Sequence, residues 1–447
     1  MNTNKIVAVL VAALTAGSAF AATAAKTNYV VGDQIYIAGS TAMAGKSMPA
    51  IGVAASNAGY TLITADNAAL GSAKIALFRR VDTAVAGTTT TITTNAINVH
   101  FIGSEGGTVV TASKQTQPFL PVNYSGAAVC TKDATVNGFV VPSTNCTVAS
   151  AATITFSDVN QAVGRYASGS KLSPVKTVPL TEIGTGINAV NFVFNAATNF
   201  PGSNITDQVA RELLSVGHIP LSHITGQASD STNTVYVTGR DIDSGTRSLV
   251  FIETGFGLLS SASQYMVDTL NSNALAFTAA GTNIFNGLAF TAGNGGYFSG
   301  GDLSAAVAAT ATQLPAGTYL VGYASASDTI TKGAKALSYN GVAPWVPVST
   351  STNTNTGVVT TNLPVGFQNV NNGIANGSYS LWSIEHLYIN PVNAPKGTSV
   401  VNIGALASNV ATTLTGYNTT QLGNGYTALT DLNVKRANNE GSVIISK

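Results

Sequence analysis

The sequence predicts an α/β fold arranged as two lobes, and three observations lead to that prediction. The chain has 447 residues, which is enough for two or three domains with a large core. Segments with the pattern of strands alternate with segments with the pattern of helices, and this alternation is typical of the α/β class. Four short motifs lie far apart in the sequence but have convergent chemistry. We expect the two lobes to bring these motifs together at a cleft.

Most of the four motifs supply small hydrogen-bond donors on a flexible backbone. In chain order they are Gly39-Ser40-Thr41, Gly103-Ser104-Glu105-Gly106-Gly107, Ser157-Asp158 and Arg240-Asp241-Ile242-Asp243-Ser244-Gly245-Thr246. Glycine lets N–H groups approach a ligand, hydroxyl groups donate, and a guanidinium can donate two bonds to an oxyanion. A lone carboxylate only accepts, so it requires a ligand that carries a proton. Each motif alone also fits a turn, but their order predicts a site for a tetrahedral oxyanion.

Three of the motifs are predicted to lie where a strand ends and a helix begins. The first follows a strand over 30–38 and precedes a helix over 42–58, which Ser40 or Thr41 is placed to cap. The second motif follows a β-hairpin over 74–100, and the fourth lies between a strand over 235–237 and a helix over 246–254. Free N–H groups and the helix dipole favour an anion at such positions.

The remaining segments continue the alternation of strands and helices. We expect strands over 154–156, 190–195 and 319–323, helices over 206–216, 302–314 and 399–414, and a strand or a helix over 383–389. Residues 108–153 have little helical periodicity and several prolines, so we predict a β-rich insertion there.

The composition excludes several classes of function. Only 9% of the residues are charged, the formal net charge is +1, and 45% are hydrophobic. Such a chain is not expected to be disordered, and it has no global field that would attract nucleic acid or an anionic membrane. The histidines lack metal-ligand spacing, and no Ser/His/Asp arrangement or nucleophile elbow is present. We therefore expect no metal, no cofactor and no enzymatic activity.

The N-terminus has the pattern of a secretory signal peptide over residues 1–21. Lys5 provides the positive region, residues 6–16 the apolar region, and Ala19-Phe20-Ala21 the cleavage site. A membrane anchor is the alternative, but the apolar run is too short to span a bilayer comfortably. We therefore expect a mature protein without a membrane anchor, located in the periplasm, secreted or at the cell surface.

The chain has two cysteines, Cys130 and Cys146. In an exported protein we expect them to form a disulfide bond. Closing a loop of this size stabilises the folded state by roughly 3 kcal/mol in the chain-entropy model.

In their order and spacing, the four motifs resemble those of the periplasmic phosphate-binding proteins of ABC importers. The segment from Arg240 to Thr246 matches that family's Arg-x-x-x-Ser-Gly-Thr signature, and the resemblance spans roughly residues 30–389. It implies a bilobal periplasmic-binding-protein type II fold with β-rich insertions at about 75–100 and 108–153. One lobe would hold residues 22–188 and 319–447, and the other residues 189–318.

The resemblance also implies a ligand and a set of ligand-binding residues. The ligand would be inorganic phosphate or a similar oxyanion, bound between the lobes for uptake or sensing, and an ABC transporter permease would be a further partner. The residues carried over are Thr41, Ala42, Ser104, Asp158, Arg240, Ser244, Gly245 and Thr246. In this set Asp158 accepts the ligand's proton and Arg240 supplies the positive charge.

Two positions depart from the family's pattern. Glu105 stands where a small neutral residue is usual; it either repels the anion or pairs with an arginine, Arg240 or Arg247. Ile242 stands where an acidic partner of the arginine is usual, a role that Asp241 or Asp243 can take. An alternative function is therefore a structural or adhesive protein of the cell surface, which uses the same fold without tight ligand binding.

Overall fold

The computed structural model describes residues 26–126, 146–171, 173–195, 200–268, 274–282, 289–309, 314–344, 350–352, 359–361, 373–394, 400–417 and 426–447. The helices are α1 (Ala44–Asn57), α2 (Ser104–Ala112), α3 (Asp207–Val216), α4 (Ser222–Thr225), α5 (Gly245–Glu253), α6 (Gly300–Ala309), α7 (Ala326–Lys332) and α8 (Val400–Thr415). The first twelve strands are β1 (Lys26–Gly39), β2 (Thr61–Ala65), β3 (Ile75–Ala86), β4 (Thr89–His100), β5 (Gln117–Phe119), β6 (Val148–Ser150), β7 (Ile154–Ser157), β8 (Thr181–Phe194), β9 (Asn204–Ile205), β10 (His218–Pro220), β11 (Thr234–Val237) and β12 (Tyr265–Asp268). The next twelve are β13 (Ala274–Phe277), β14 (Gly281–Thr282), β15 (Ala289–Phe290), β16 (Thr318–Ser325), β17 (Lys335–Ala336), β18 (Ser338–Tyr339), β19 (Thr350–Thr352), β20 (Val359–Thr361), β21 (Trp382–Ile389), β22 (Tyr426–Thr427), β23 (Val434–Arg436) and β24 (Ile444–Ser446).

A large mixed sheet organises the molecule and confirms the predicted α/β class. Its strand order is β10-β11-β16-β8-β21-β7-β1-β4-β3-β2, and β17 and β22 also pair with β8. Strand β8 lies in the middle of the sheet and joins its two halves. The first residues of β8 pair with β21, and its last residues pair with β16. The sheet therefore connects the segments that the sequence assigns to different lobes.

Three neighbouring strands of this sheet run parallel to one another. Strand β1 pairs in parallel with β4 on one side and with β7 on the other. Carboxyl ends of parallel neighbours meet at the same edge of a sheet. The first three polar motifs follow these three strands, so the topology places them side by side.

Two apolar cores hold helices against the main sheet. Met48 and Ile51 of α1 share a core with Ile403 and Leu406 of α8, and both helices pack on the β1 side of the sheet. A second core holds buried residues of α3 and α5 against β8 and β11. The second core therefore fixes α5, whose first residues carry the end of the fourth motif.

The structure refines several of the predicted elements. The segment over 383–389, left open as strand or helix, is strand β21. The sequence predicts a β-rich insertion over 108–153, and this prediction is wrong for its first residues. Residues 108–112 continue α2, since Val109, Val110 and Ala112 pack into a buried core.

Two predictions fall outside the described residues. These are the signal peptide over 1–21 and the position of Cys130; Cys146 is buried. Both the signal peptide and the disulfide stay predictions. Within the described part of the chain, no helix is long and apolar enough to span a bilayer.

The predicted hairpin over 74–100 belongs to the main sheet, and its outer half projects from the body as an arm. The arm comprises residues 26–31 of β1, 81–86 of β3 and 89–94 of β4. By register, one face of the arm carries Tyr29, Val31, Ile92, Val81 and Val85 together with threonines. Tyr29 is 79% exposed and Val85 70% exposed, so this apolar face is uncovered in the monomer.

The C-terminal hairpin of β23 and β24 ties distant parts of the chain together. Arg436 Nη2 lies 2.8 Å from Glu253 Oε1 at the end of α5, and both side chains are almost fully buried. On the other side, Glu440 accepts a hydrogen bond from the Asn160 N–H at 3.1 Å. The hairpin therefore links the helix of the fourth motif to the loop that follows Asp158.

His386 strengthens this link. Its ring lies between Glu182, at 2.7 Å, and Glu440, at 3.5 Å. Burial opposes a charged ring, but the hydrogen bonds and charges of the two carboxylates outweigh it and raise the pKa of His386 to about 9.

We expect His386→Gln to destabilise the protein more at pH 6 than at pH 10. The charged ring contributes its full stabilisation below its unfolded pKa of about 6.5, and that contribution is lost as the pH rises through 9. The difference in unfolding free energy between wild type and variant should shrink by about 2–3 kcal/mol over this range. Urea denaturation of both proteins at pH 6 and pH 10 measures this difference. A difference that does not change with pH would contradict a charged, buried His386.

Candidate functional site

The structure brings the predicted motif residues together around Asp158. The Asp158 carboxylate is completely buried and contacts the hydroxyl of Ser104 through Oδ1. Its Oδ2 accepts hydrogen bonds from Thr246 Oγ1 and from Asn188 Nδ2, both at 3.1 Å. The second, third and fourth motifs therefore meet at a single carboxyl group.

Burial raises the pKa of the Asp158 carboxyl. The hydrogen bond from Ser104 and the positive charge of Arg240 act in the opposite direction without cancelling this effect. As a carboxylate Asp158 can only accept hydrogen bonds, so a ligand oxygen that faces it has to carry a proton.

Arg240 is buried beside the first motif and keeps part of its hydrogen-bonding capacity unused. It is 1% exposed. Its Nε donates to the Tyr297 carbonyl at 3.1 Å, and Nη2 donates to the Phe298 carbonyl at 2.9 Å and to Thr41 Oγ1 at 3.1 Å. Among the described residues, Nη1 has no partner, and it lies near Gly300 at the start of α6.

The second and fourth motifs are in direct backbone contact. The Asp243 carbonyl accepts from the N–H groups of Glu105, at 2.9 Å, and Gly106, at 3.4 Å, in the first turn of α2. Gly103 makes this approach possible, because its φ of +105° and the closeness of Asp243 leave no room for a Cβ. A side chain at Gly245 would likewise overlap Asp158 and Ser104. Glycine is needed at both positions because the motifs touch.

The other predicted residues shape the loops. The prediction that Ser40 or Thr41 caps α1 is wrong, because the N-cap is Met43 and has no side-chain cap hydrogen bond. Ser40 Oγ instead accepts from the Ala42 N–H at 3.1 Å, in the turn before the helix. Ser244 caps α5 by accepting from the Arg247 N–H at 3.3 Å.

Among the described residues, Glu105 makes no hydrogen bond or ion pair with Arg240 or Arg247, so the expectation that it pairs with one of them is wrong. Its Oε1 accepts from the Arg165 N–H at 2.9 Å and from Ser248 Oγ at 2.7 Å. Burial raises the pKa of Glu105 to about 7, against the effect of these hydrogen bonds. The side chain is therefore partly neutral at physiological pH.

Arg240 also lacks the acidic partner expected at Asp241 or Asp243. Within the described residues its guanidinium donates to carbonyl and hydroxyl oxygens, and it forms no ion pair. The Asp243 carboxylate accepts from the Tyr166 hydroxyl at 3.1 Å, and Asp241 accepts from the Asp243 N–H at 3.2 Å. Burial, with the neighbouring charge of Asp243, raises the pKa of Asp241 to about 8.

A cleft with a volume of about 840 Å³ reaches the first motif from the solvent. Thr41 and Ala42 form part of its wall, and its charged lining residues are Lys46, Lys74, Lys332, Asp66, Asp302 and Asp328. Lys74 Nζ donates to the Thr41 carbonyl at 3.3 Å, so Thr41 contacts a cation on each side. The cleft provides a path toward the buried motif residues.

Sequence reasoning missed two buried polar residues of this region, Asn188 and Glu385. Asn188 lies on β8 and donates to Asp158. Glu385 lies on β21, and the charge of Asp158 contributes to its raised pKa. A carboxyl group inside the apolar strand Trp382-Ser383-Ile384-Glu385-His386-Leu387 was the available signal, because such groups are rarely buried without a function.

The comparisons with known proteins concern the fold. No protein-family model and no curated protein matches the sequence. Among solved structures, the chain is similar to an ABC-type phosphate transport receptor from Vibrio cholerae, with 13% identity, a TM-score of 0.35, and coverage of 86% of this chain and 96% of that one. It is also similar to a periplasmic phosphate-binding protein called PfluDING bound with phosphate, with 13% identity, a TM-score of 0.38, and coverage of 89% of this chain and 90% of that one. A third similar structure is a human phosphate-binding apolipoprotein, with 14% identity, a TM-score of 0.37, and coverage of 88% of this chain and 91% of that one. At these identities the similarities do not define a function for this chain.

We expect Glu105→Gln to stabilise the protein increasingly as the pH rises from 5 to 8. The raised pKa means that the wild type loses stability between the unfolded value of 4.5 and the folded value of about 7, whereas the amide does not titrate. Relative to wild type, the variant should gain about 2–3 kcal/mol over this range. Thermal unfolding at both pH values tests this prediction, with Asp207→Asn as the control, because the Asp207 carboxylate pairs with Arg211 and not with a histidine.

Proposed function

We propose that the protein binds inorganic phosphate or a similar tetrahedral oxyanion among Thr41, Ser104, Asp158, Arg240 and Thr246, and serves uptake or sensing. The observation that supports this most directly is the unpartnered Nη1 of the buried Arg240. A buried guanidinium with an unused N–H group can donate further hydrogen bonds, and an oxyanion is the ligand that its geometry suits.

The charges near this arginine favour an anion. Asp158 has a raised pKa, and Asp241 and Glu105 have pKa values of about 8 and 7, all because of burial. Glu105 and Asp241 are therefore partly neutral near pH 7. This reduces the negative charge around Arg240 in a chain whose formal net charge is only +1.

The ligand needs a change in the contacts that the structure shows. Asp158, Ser104 and Gly245 touch one another, so a phosphate among them has to separate the fourth motif from the other three. We propose that the two lobes predicted from the sequence move about β8 and exchange these mutual hydrogen bonds for bonds to the ligand, as in hinge closure around ligands.

The apolar face of the arm favours a second candidate function. An uncovered patch that includes Tyr29, Val31 and Val85 is typical of a protein interaction surface. A structural or adhesive protein of the cell surface needs such a surface and needs no oxyanion.

Calorimetric titration of the protein with phosphate, arsenate and sulfate distinguishes the oxyanion-binding function from the surface function. Oxyanion binding should also stabilise the fold by about 2.7 kcal/mol when the ligand is at 100 times its Kd. If wild type binds none of the three anions at millimolar concentration, the binding function fails and the surface function becomes the better explanation.

We expect Arg240→Ala to abolish phosphate binding. The loss removes the cation that faces the ligand, and charge-assisted hydrogen bonds contribute roughly 1.5–3 kcal/mol each. Because Arg240 is buried, circular dichroism must show that the variant is folded. Lys332→Ala is the matched control, since it removes a positive charge from the cleft wall and leaves the buried group intact.

We expect Asp158→Asn to weaken phosphate binding and to raise the affinity for sulfate relative to the affinity for phosphate. The amide keeps the shape of the carboxyl group but can donate to a fully deprotonated oxygen. Competition between phosphate and sulfate at pH 7 measures the ratio of the two affinities. An unchanged ratio would remove Asp158 from the site.

A further inference from the structure

Four buried polar atoms without hydrogen-bond partners lie close to Asp158. In the described part of the chain they are Asn188 Oδ1, Ser383 Oγ and both carboxyl oxygens of Glu385. Asn188, Ser383 and Glu385 are all completely buried. A buried polar atom without a partner costs about 1–3 kcal/mol, so a cluster of them requires an explanation.

The sheet register places these atoms beside Asp158. His386 of β21 pairs with Ser157 of β7, so Glu385 and Asp158 occupy the next position on their strands. On the other edge of β21, Ser383 pairs with Asn188 and Glu385 pairs with Gly186 of β8. Residues that pair directly share a face of the sheet, as do residues two apart on one strand.

Gly186 lies directly opposite Glu385 and has no side chain of its own, while Met43 Cε lies 3.4 Å from the position of a Cβ there. Asn188 is the diagonal neighbour, and diagonal neighbours are within reach of long side chains. The Asn188 amide nitrogen already donates to Asp158 Oδ2 at 3.1 Å, which leaves its oxygen to accept.

We propose that Glu385 is a positioning residue of the anion site, whose carboxyl group donates a hydrogen bond to the Asn188 oxygen so that the Asn188 nitrogen is held on Asp158. This inference rests on the proposed oxyanion function. The chain Glu385–Asn188–Asp158 gives a partner to the Asn188 oxygen and to one Glu385 oxygen. It also fixes the orientation of the Asn188 amide, because a flipped amide would turn its oxygen toward Asp158.

Only a protonated carboxyl group can donate in this way. Burial, and then the charge of Asp158, raise the pKa of Glu385 well above its usual value. Asp158 is the titratable group that acts on it. The neighbouring His386 is held by Glu182 and Glu440, and Arg240 acts on Asp158. Ionisation of Glu385 at high pH would break the chain of hydrogen bonds and place a second negative charge near the anion.

Calorimetric titration with inorganic phosphate at pH 7 tests the proposal on wild type, Glu385→Gln and Glu385→Ala. Glutamine keeps a donor for Asn188, so this variant should bind like wild type. Alanine removes the donor, so Glu385→Ala should bind phosphate about tenfold more weakly.

Thr427→Val is the control, because the Thr427 hydroxyl is another buried group without a hydrogen-bond partner among the described residues. Thr427 lies in the same region, on β22, where its backbone pairs with Ile187 of β8. This variant should bind phosphate like wild type. Equal phosphate Kd values for Glu385→Gln and Glu385→Ala would overturn the role of Glu385. If Glu385→Ala does not fold, Glu385→Met, which has a similar length and no donor, takes its place. Wild type that binds no phosphate would instead refute the proposed function, and this role with it.

Discussion

The parallel pairing of β7, β1 and β4 is the constraint on which the rest of the site depends. Because the three strands are neighbours and point the same way, the loops after Gly39, His100 and Ser157 lie at one edge. The fourth motif reaches this edge from the other part of the sheet. It is held there by the Asp243 carbonyl on the first turn of α2. No long connecting loop is needed to assemble the site.

Burial also changes the charge around the motifs of this weakly charged protein. Glu105 looks repulsive in the sequence, because a carboxylate next to an anion is unfavourable. In the structure, burial raises its pKa to about 7, and hydrogen bonds from Ser248 and Arg165 hold it in place. Arg240 forms no ion pair at salt-bridge distance among the described residues, but its charge lowers the pKa of Asp158 and Asp241 against the effect of burial. The charge of the region therefore depends on burial as well as on the residue types.

Much of the fold could be predicted from the sequence because the signals are local. The hairpin over 74–100 alternates in polarity, and the helix after Thr206 begins with a side-chain cap, which the structure shows on the Val209 N–H. The convergence of the motifs followed from their shared chemistry. The partners of Glu105 and Arg240 could not be predicted, since they depend on where Arg165, Tyr297 and Phe298 lie in space. The same holds for Asn188 and Glu385, whose role depends on the register of β8 against β21.

The contacts among the motifs also set the energetic requirement for a ligand. Thr246 donates to Asp158, and the Glu105 N–H donates to the Asp243 carbonyl, so hydrogen bonds join the fourth motif to the second and third. Ser248 of α5 also donates to Glu105, and Tyr166 donates to Asp243. Each contributes on the order of 1 kcal/mol. The C-terminal hairpin adds the buried pair of Arg436 and Glu253. A ligand that separates these groups must supply equivalent bonds, because it shifts the equilibrium only by its differential affinity for the two states. A tetrahedral anion with four oxygens can do so, whereas a ligand with fewer acceptors leaves Ser104, Thr246 or Arg240 unsatisfied.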